Sequence, residues 1–396
     1  MSSATETRLQ PTTRRTNRRV WFQAITLLLV GLVGYGVAES LAWFGVVDYR
    51  IALGTLGDEP WRNPINRLDP DLLHIHHPHR RFRGTMQGGD IAYYLRIAET
   101  HTYPYDVQTD RDGFRNIEDI EQADLVMTGD SYVEGILVPG EKTISAELGR
   151  LWEISSVNLG QIWYGPQQEL FVLQRFGLPR KPKIVVWCYF EGNDLKDMAR
   201  YETNRERWDV MAPKLHSFSA RSLARNASLR LLQYEGPRRH RPLGERNVGI
   251  LPSGERMYFF YRNDKVSDIE KKYMLPFQET IKQAYDACQK AGIVLVFAYV
   301  PIKVRVYDSI VTYPTDSVFR NAYRPEAIEE MKQLMQVVAP GMAFVDLTHE
   351  LIETSKRELT YFLDDTHWTE AGHAAAARAI ARAIPHPAKP VRESRP

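Results

Sequence analysis

The sequence predicts an α/β protein, a three-layer α/β/α domain around a central, mainly parallel sheet, preceded by one N-terminal transmembrane helix. Three observations predict it. Short apolar runs of strand length alternate with stretches whose apolar residues recur at helical spacing, between residues 122 and 386. The residues with the greatest chemical potential fall just beyond the ends of those runs. A long uncharged stretch behind a cluster of arginines lies near the N-terminus.

The chain has 396 residues and 43% hydrophobic content, enough to bury one sizeable core with appendages. A formal charge of +2 gives no concentrated basic face, so nucleic acid is not an expected partner. Two cysteines, Cys188 in an expected strand and Cys288 in an expected helix, cannot make a disulfide framework and read as buried thiols.

Residues 1–19 carry five arginines against one glutamate and read as a cytoplasmic tail. Residues 20–47 read as the anchor. Val20 to Ala38 holds no charged side chain, Trp21 and Trp43 bracket the run, and about 22 residues at a helical rise span roughly 33 Å, a bilayer's hydrocarbon thickness. A cleaved signal peptide is the alternative, although the run is long and lacks an Ala-x-Ala site. Either way the rest is exported, with the N-terminus inside and the main domain periplasmic or extracellular.

Residues 48–121, rich in Pro, Gly, Asp and Arg, read as a stalk and irregular arm, with a short strand expected at Tyr93-Tyr94-Leu95. Its run His74-Ile75-His76-His77-Pro78-His79-Arg80-Arg81 invites a metal reading. Pro78 and the arginines fit ligand geometry poorly, so a solvated basic segment near the membrane is expected.

Within 122–386, strands are expected at 123–128, 154–158, 184–190, 293–300 and 342–347. Helices are expected at 142–152, 167–176, 276–290, 325–338 and 369–384. The run 184–190 is apolar throughout, as a strand covered on both faces requires. Residues 195–269 interrupt the alternation as an insertion, with an amphipathic helix over 219–232, a basic loop Arg238-Arg239-His240-Arg241 and a strand-like Met257–Tyr261. Residues 387–396 read as a disordered tail.

Leu125 to Gly129 is an apolar run that stops where Asp130-Ser131 must turn towards a helix, a place to present a nucleophile. Asn193 follows the run 184–190 in Glu191-Gly192-Asn193-Asp194. His367 lies in Asp364-Asp365-Thr366-His367-Trp368. In open parallel sheets ligands bind beyond the carboxyl ends of the strands, where Ser131, the segment after Asn158 and Asn193 all fall.

Together these blocks resemble the SGNH (GDSL-type) hydrolase family, and Asp-Thr-His-Trp resembles its membrane-associated polysaccharide O-acetyltransferase branch, of alginate acetylation. The resemblance implies an ester intermediate on Ser131, His367 as base, and a carboxylate orienting it. Many family members place that acid three residues before the histidine, which selects Asp364; the acetyltransferase-like pattern places it two before. The longer match favours Asp365. An oxyanion would be held by the Ser131 N–H, the Asn193 amide and a donor from the second block, where Trp163 stands in place of the family's glycine and Gly160 and Gly165 are the other candidates. No cofactor and no metal is required.

The resulting expectation is a membrane-anchored extracytoplasmic serine esterase removing acyl, chiefly acetyl, groups from carbohydrate-type esters. The same residues would serve an O-acetyltransferase acting on an exported polysaccharide, and a third reading keeps the scaffold as a binding or assembly protein. The acylated carbohydrate or small ester and the membrane are the expected partners; the sequence specifies no protein partner. Lys303, Arg305 and Tyr307, after an expected strand end, are candidate contacts to an acidic sugar or plain surface residues.

Overall fold

The computed structural model describes residues 13–57, 59–97, 100–215, 217–232, 244–261, 271–320, 322 and 325–386. The basic loop 238–241 and the tail 387–396 lie outside them. The chain divides into two compact units, Met1–Asp58 with Val210–Glu235, and Glu59–Asp209 with Gly236–Pro396.

In the first unit, a helix spans Thr13–Trp43, and its stretch Arg18–Trp43, 26 residues with an unburied 18-residue window of mean hydropathy 1.9, is long and apolar enough to be a membrane span or a signal sequence. Residues 13–19, expected as tail, are helical, because nothing after Pro11 breaks the helix and arginine favours it. The helix expected over 219–232 is two, Phe218–Arg221 and Leu223–Leu232. The break is at Ser222, whose hydroxyl turns to Glu39 Oε1 at 3.1 Å beside the Ala224 N–H at 2.8 Å.

The second unit begins with two antiparallel hairpins: β1 (Asn66–Asp69) with β2 (Leu73–His76), then β3 (Arg81–Gln87) with β4 (Thr102–Gln108). Next come β5 (Leu125–Gly129), β6 (Ser156–Gly160) and β7 (Ile184–Phe190), a small hairpin β8 (Val248–Ile250) with β9 (Arg256–Tyr258), then β10 (Val294–Val300) and β11 (Ala343–Asp346). The central sheet has the order β11-β10-β7-β5-β6, and every pair is parallel. Residues of β7 alternate between two cores. Ile184, Val186, Cys188 and Phe190 pack on one face with the helices Ile144–Trp152 and Glu370–Ala383. Val185, Trp187 and Tyr189 pack on the other with Pro166–Val172 and Lys271–Lys290. That double burial is why the strand is apolar at every position. Both cysteines are buried and unpaired.

The chain enters at β5, steps outward to β6, and returns across β5 to β7. The connections that leave β5 and β7 therefore run in opposite directions, and the topological switch point, where such sheets bind ligands, lies beyond the ends of these two neighbours.

Four expectations are corrected. The arm is not irregular throughout: residues 66–69 pair with 73–76, and 81–87 with 102–108, as the two hairpins. The histidine run is not solvated throughout, since His74 and His76 are each 1% exposed within β2. Tyr93–Leu95 belongs to a helix, Asp90–Leu95, because the N–H groups of Asp90 and Ala92 are claimed by Asp365 Oδ2 (2.8 Å) and the Asp364 carbonyl (3.0 Å), contacts invisible to local propensity. The helix expected from Pro276 already begins at Lys271.

Candidate active site

Asp130 caps the four-residue helix Ser131–Glu134, accepting the Tyr132 N–H at 2.9 Å, and Gly135 closes it in the left-handed conformation. The serine is thus fixed at the first position of the helix, two residues past the end of β5, its neighbours buried and itself 8% exposed. Gly129 permits the turn: a Cβ there would lie 2.6 Å from Val133 Cγ2 and 3.0 Å from the Cys188 carbonyl.

His367 comes from the loop before Glu370–Ala383, a helix capped by the Thr369 hydroxyl. Its Nε2 lies 2.7 Å from Ser131 Oγ, and its Nδ1 lies 2.7 Å from Asp365 Oδ1. An ionised carboxylate only accepts, so Nδ1 carries a proton, and in the neutral ring Nε2 presents a lone pair to the serine hydroxyl. The ring is steadied by Tyr132, 5.2 Å away between centroids, whose hydroxyl donates to the Thr366 carbonyl at 2.5 Å.

Burial alone would push the Asp365 carboxyl up, but His367 and the N–H groups of Asp90 and His367 hold it well below the usual carboxylate range. Burial opposes charge on His367 too, yet Asp365 overrides it and raises the imidazole to about 9. The arrangement can therefore take a proton from Ser131 and stabilise the resulting imidazolium.

Asp364 is a correction. It is fully buried, and its carboxylate accepts from the Tyr103 hydroxyl and from the His101 N–H at 2.9 Å. Engaged by these partners, it braces the loop against β4.

A count of backbone donors sorts the second block. Gly160 N–H donates to Asn158 Oδ1 (2.9 Å), Gln161 to the Gly129 carbonyl (3.2 Å), Ile162 to Glu134 Oε2 (2.6 Å), Tyr164 to the Gln161 carbonyl (3.2 Å) and Gly165 to Gln168 Oε1 (3.3 Å). Among the described residues, Trp163 N–H is left without an acceptor, as is Ser131 N–H. Trp163 has φ +69°, a conformation glycine adopts more easily. That side chain lies beneath Arg200, whose guanidinium carbon is 3.9 Å from the ring centroid. Gly160 and Gly165 are corrected to packing roles: a Cβ would meet Glu134 N at 2.4 Å and Met198 N at 2.5 Å respectively. Asn193 Nδ2 donates one hydrogen to Asp197 Oδ2 at 2.7 Å and keeps a second.

A family model for the SGNH hydrolase-like domain of the acetyltransferase AlgX matches residues 252–395. Over those residues the chain is similar to an SGNH hydrolase-like domain. The matched residues include Asp365 and His367 and leave Ser131, Trp163 and Asn193 outside. Among solved structures, a protein of the G-D-S-L family from Desulfitobacterium hafniense is 14% identical, covering 66% of this chain and 98% of its own at a TM-score of 0.36. A variant acetyl-xylooligosaccharide esterase from Geobacillus is 14% identical, with 65% and 92% covered and a TM-score of 0.35. The esterase EstA from Pseudoalteromonas is 9% identical, with 66% and 95% covered and a TM-score of 0.33. No curated protein matches the chain.

The site also uses residues that sequence reasoning missed. Asp90 accepts from the Thr366 N–H (2.8 Å) and hydroxyl (2.5 Å), while its own N–H holds Asp365 Oδ2. Burial and then the Asp365 charge raise Asp90 to about 7. Ligand atoms of Asp90, Asp365 and His367 lie within 4.8 Å of one another, but both imidazole nitrogens are engaged by Asp365 and Ser131. Gly89 lets this approach occur, since a Cβ would sit 2.1 Å from Asp365 Cβ. The Gly88-Gly89-Asp90 stretch was the available signal. Lys303, Arg305 and Tyr307 are all buried, not surface contacts: Lys303 Nζ donates to the carbonyls of Phe362, Leu363 and Asp365, Arg305 pairs with Glu191, and Tyr307 receives the Thr360 N–H.

Proposed function

We propose that this chain is a membrane-anchored, extracytoplasmic serine enzyme that breaks acyl esters of carbohydrate, chiefly acetyl, through an acyl-Ser131 intermediate. The observation that carries this is the Ser131, His367 and Asp365 relay with Ser131 N–H, Trp163 N–H and a hydrogen of Asn193 unengaged. His367 takes the hydroxyl proton as Ser131 Oγ bonds to the ester carbonyl carbon. The oxyanion forms against the free N–H donors, and the departing alcohol leaves with the proton from His367. An incoming hydroxyl then reverses these steps and restores the serine.

That hydroxyl belongs to water in an esterase and to a sugar in an O-acetyltransferase. The match to the acetyltransferase domain favours the second reading, with an exported polysaccharide as acceptor. The helix Thr13–Trp43 supports attachment to the inner membrane, with the tail cytoplasmic and the domain outside. The test is turnover of an aryl acetate by the full chain with and without oligosaccharide. Acceleration with appearance of acetylated sugar indicates transfer, an unchanged rate with free acetate indicates hydrolysis, and no turnover contradicts both.

A further inference from the structure

The histidines of β2 have an unassigned role. His74 Nε2 lies 3.0 Å from the Ile162 carbonyl, to which it must donate, because a carbonyl only accepts. The Tyr164 hydroxyl in turn donates to the His74 carbonyl at 2.6 Å, and the two rings meet edge to face at 5.1 Å. Burial depresses the His74 imidazole to about 3, so the ring is neutral at working pH.

The carbonyl of Ile162 and the N–H of Trp163 belong to one planar trans peptide and point in opposite directions. A bond that fixes the first fixes the second. The preceding peptide is gripped as well: Ile162 N–H donates to Glu134 Oε2, and His76 Nε2 lies 2.8 Å from Glu134 Oε1. His76 and Glu134 are each buried. Trp163 sits at positive φ, where a bulky residue gains nothing locally, so the conformation is imposed by these contacts.

We propose that His74 is a positioning residue for ester chemistry at Ser131: by holding the Ile162 carbonyl it aims the Trp163 N–H at the developing oxyanion, with His76 and Glu134 fixing the adjoining peptide. This rests on the acyl-transfer reading above.

The test compares the full-length wild type, His74→Phe and His74→Gln on an aryl acetate, with methylboronic acid as a mimic of the tetrahedral anion. His74→Phe keeps the ring packing and loses the donor. It should lower kcat on the order of a hundredfold, leave KM little changed and weaken methylboronate by a similar factor. His74→Gln, which keeps an N–H donor, should recover most of both. A folded His74→Phe with unchanged kcat and unchanged boronate affinity overturns the role. So does a loss that vanishes once rates are corrected for the titrated fraction of active sites. Should His74→Phe not fold, ¹⁵N-tryptophan labelling of the wild type decides, with Trp163→Phe identifying the signal. The Trp163 amide proton should move downfield on boronate binding, and an unmoved signal overturns the proposal. A wild type that neither turns over the ester nor binds boronate contradicts the Ser131 reading itself.

Discussion

The parallel sheet and the arm of residues 59–121 reach the same site by different routes. In the sheet, each strand is written in its own residues: β7 is buried at all seven positions, and its apolar run has the observed bounds. In the arm, β3 alternates between exposed and half-buried residues and gives little local signal. Its order comes from distant partners, such as Tyr103 on Asp364, Asp90 on Thr366 and His74 on Ile162. The sheet places the nucleophile; the arm trims the positions of the base, its carboxylate and the second-block turn.

The largest test of that division separates the two adjacent aspartates. Asp365→Asn should lower kcat about ten-thousandfold, since the imidazole loses its tautomer and its partner for the charged form. Asp364→Asn should leave chemistry nearly intact and act on stability, by about 1–3 kcal/mol for a disturbed buried hydrogen-bond acceptor. Rates beside thermal midpoints distinguish the two; comparable losses of kcat would blur the contrast.

Gly89→Ala comes next. It changes the arm alone, yet its Cβ would press on Asp365, and displacement of a catalytic group by about 1 Å costs on the order of a hundredfold in rate. Wild-type kcat in this variant would show that the arm can shift without reaching the site.

The pH profile is a gentler probe. Because His367 is raised to about 9 and must be neutral to accept the serine proton, kcat/KM should climb from neutrality towards pH 9. In Asp365→Asn the limb should move down towards ordinary imidazole values. The sign for stability is opposite: a group whose folded pKa is raised contributes fully below its unfolded value, so this contribution is lost as pH rises through about 9. A limb near 6.5 in the wild type would show that Asp365 does not govern the ring.

The smallest effect on rate is expected in the sheet. Cys188→Ser puts a hydroxyl against the apolar core face beneath the serine turn and should cost about 1–3 kcal/mol of stability with kcat unchanged.

How far the site was legible follows the same line. Ser131, Asn193 and His367 stand at element ends that periodicity marks, so both their identity and their shared edge could be read. Spacing in the Asp-Thr-His-Trp run already favoured Asp365, but what holds Asp364 elsewhere, Tyr103 and the His101 N–H more than 250 residues earlier, could not be read locally. Trp163 read as a departure because side-chain type conceals backbone conformation; its positive φ and unengaged N–H emerge only from the turn's full set of hydrogen bonds. Lys303 was misplaced for a related reason. A lysine after a strand reads as surface, and only three converging carbonyls explain its burial.

The most direct measurement of the central claim is peptide mass spectrometry of the full chain quenched during turnover of an aryl acetate. The account predicts one acetyl group on the peptide containing Ser131, absent from Ser131→Ala and accumulating in Asp365→Asn if deacylation slows. Continued turnover with no acetyl on Ser131, or with the label on another side chain, would contradict it.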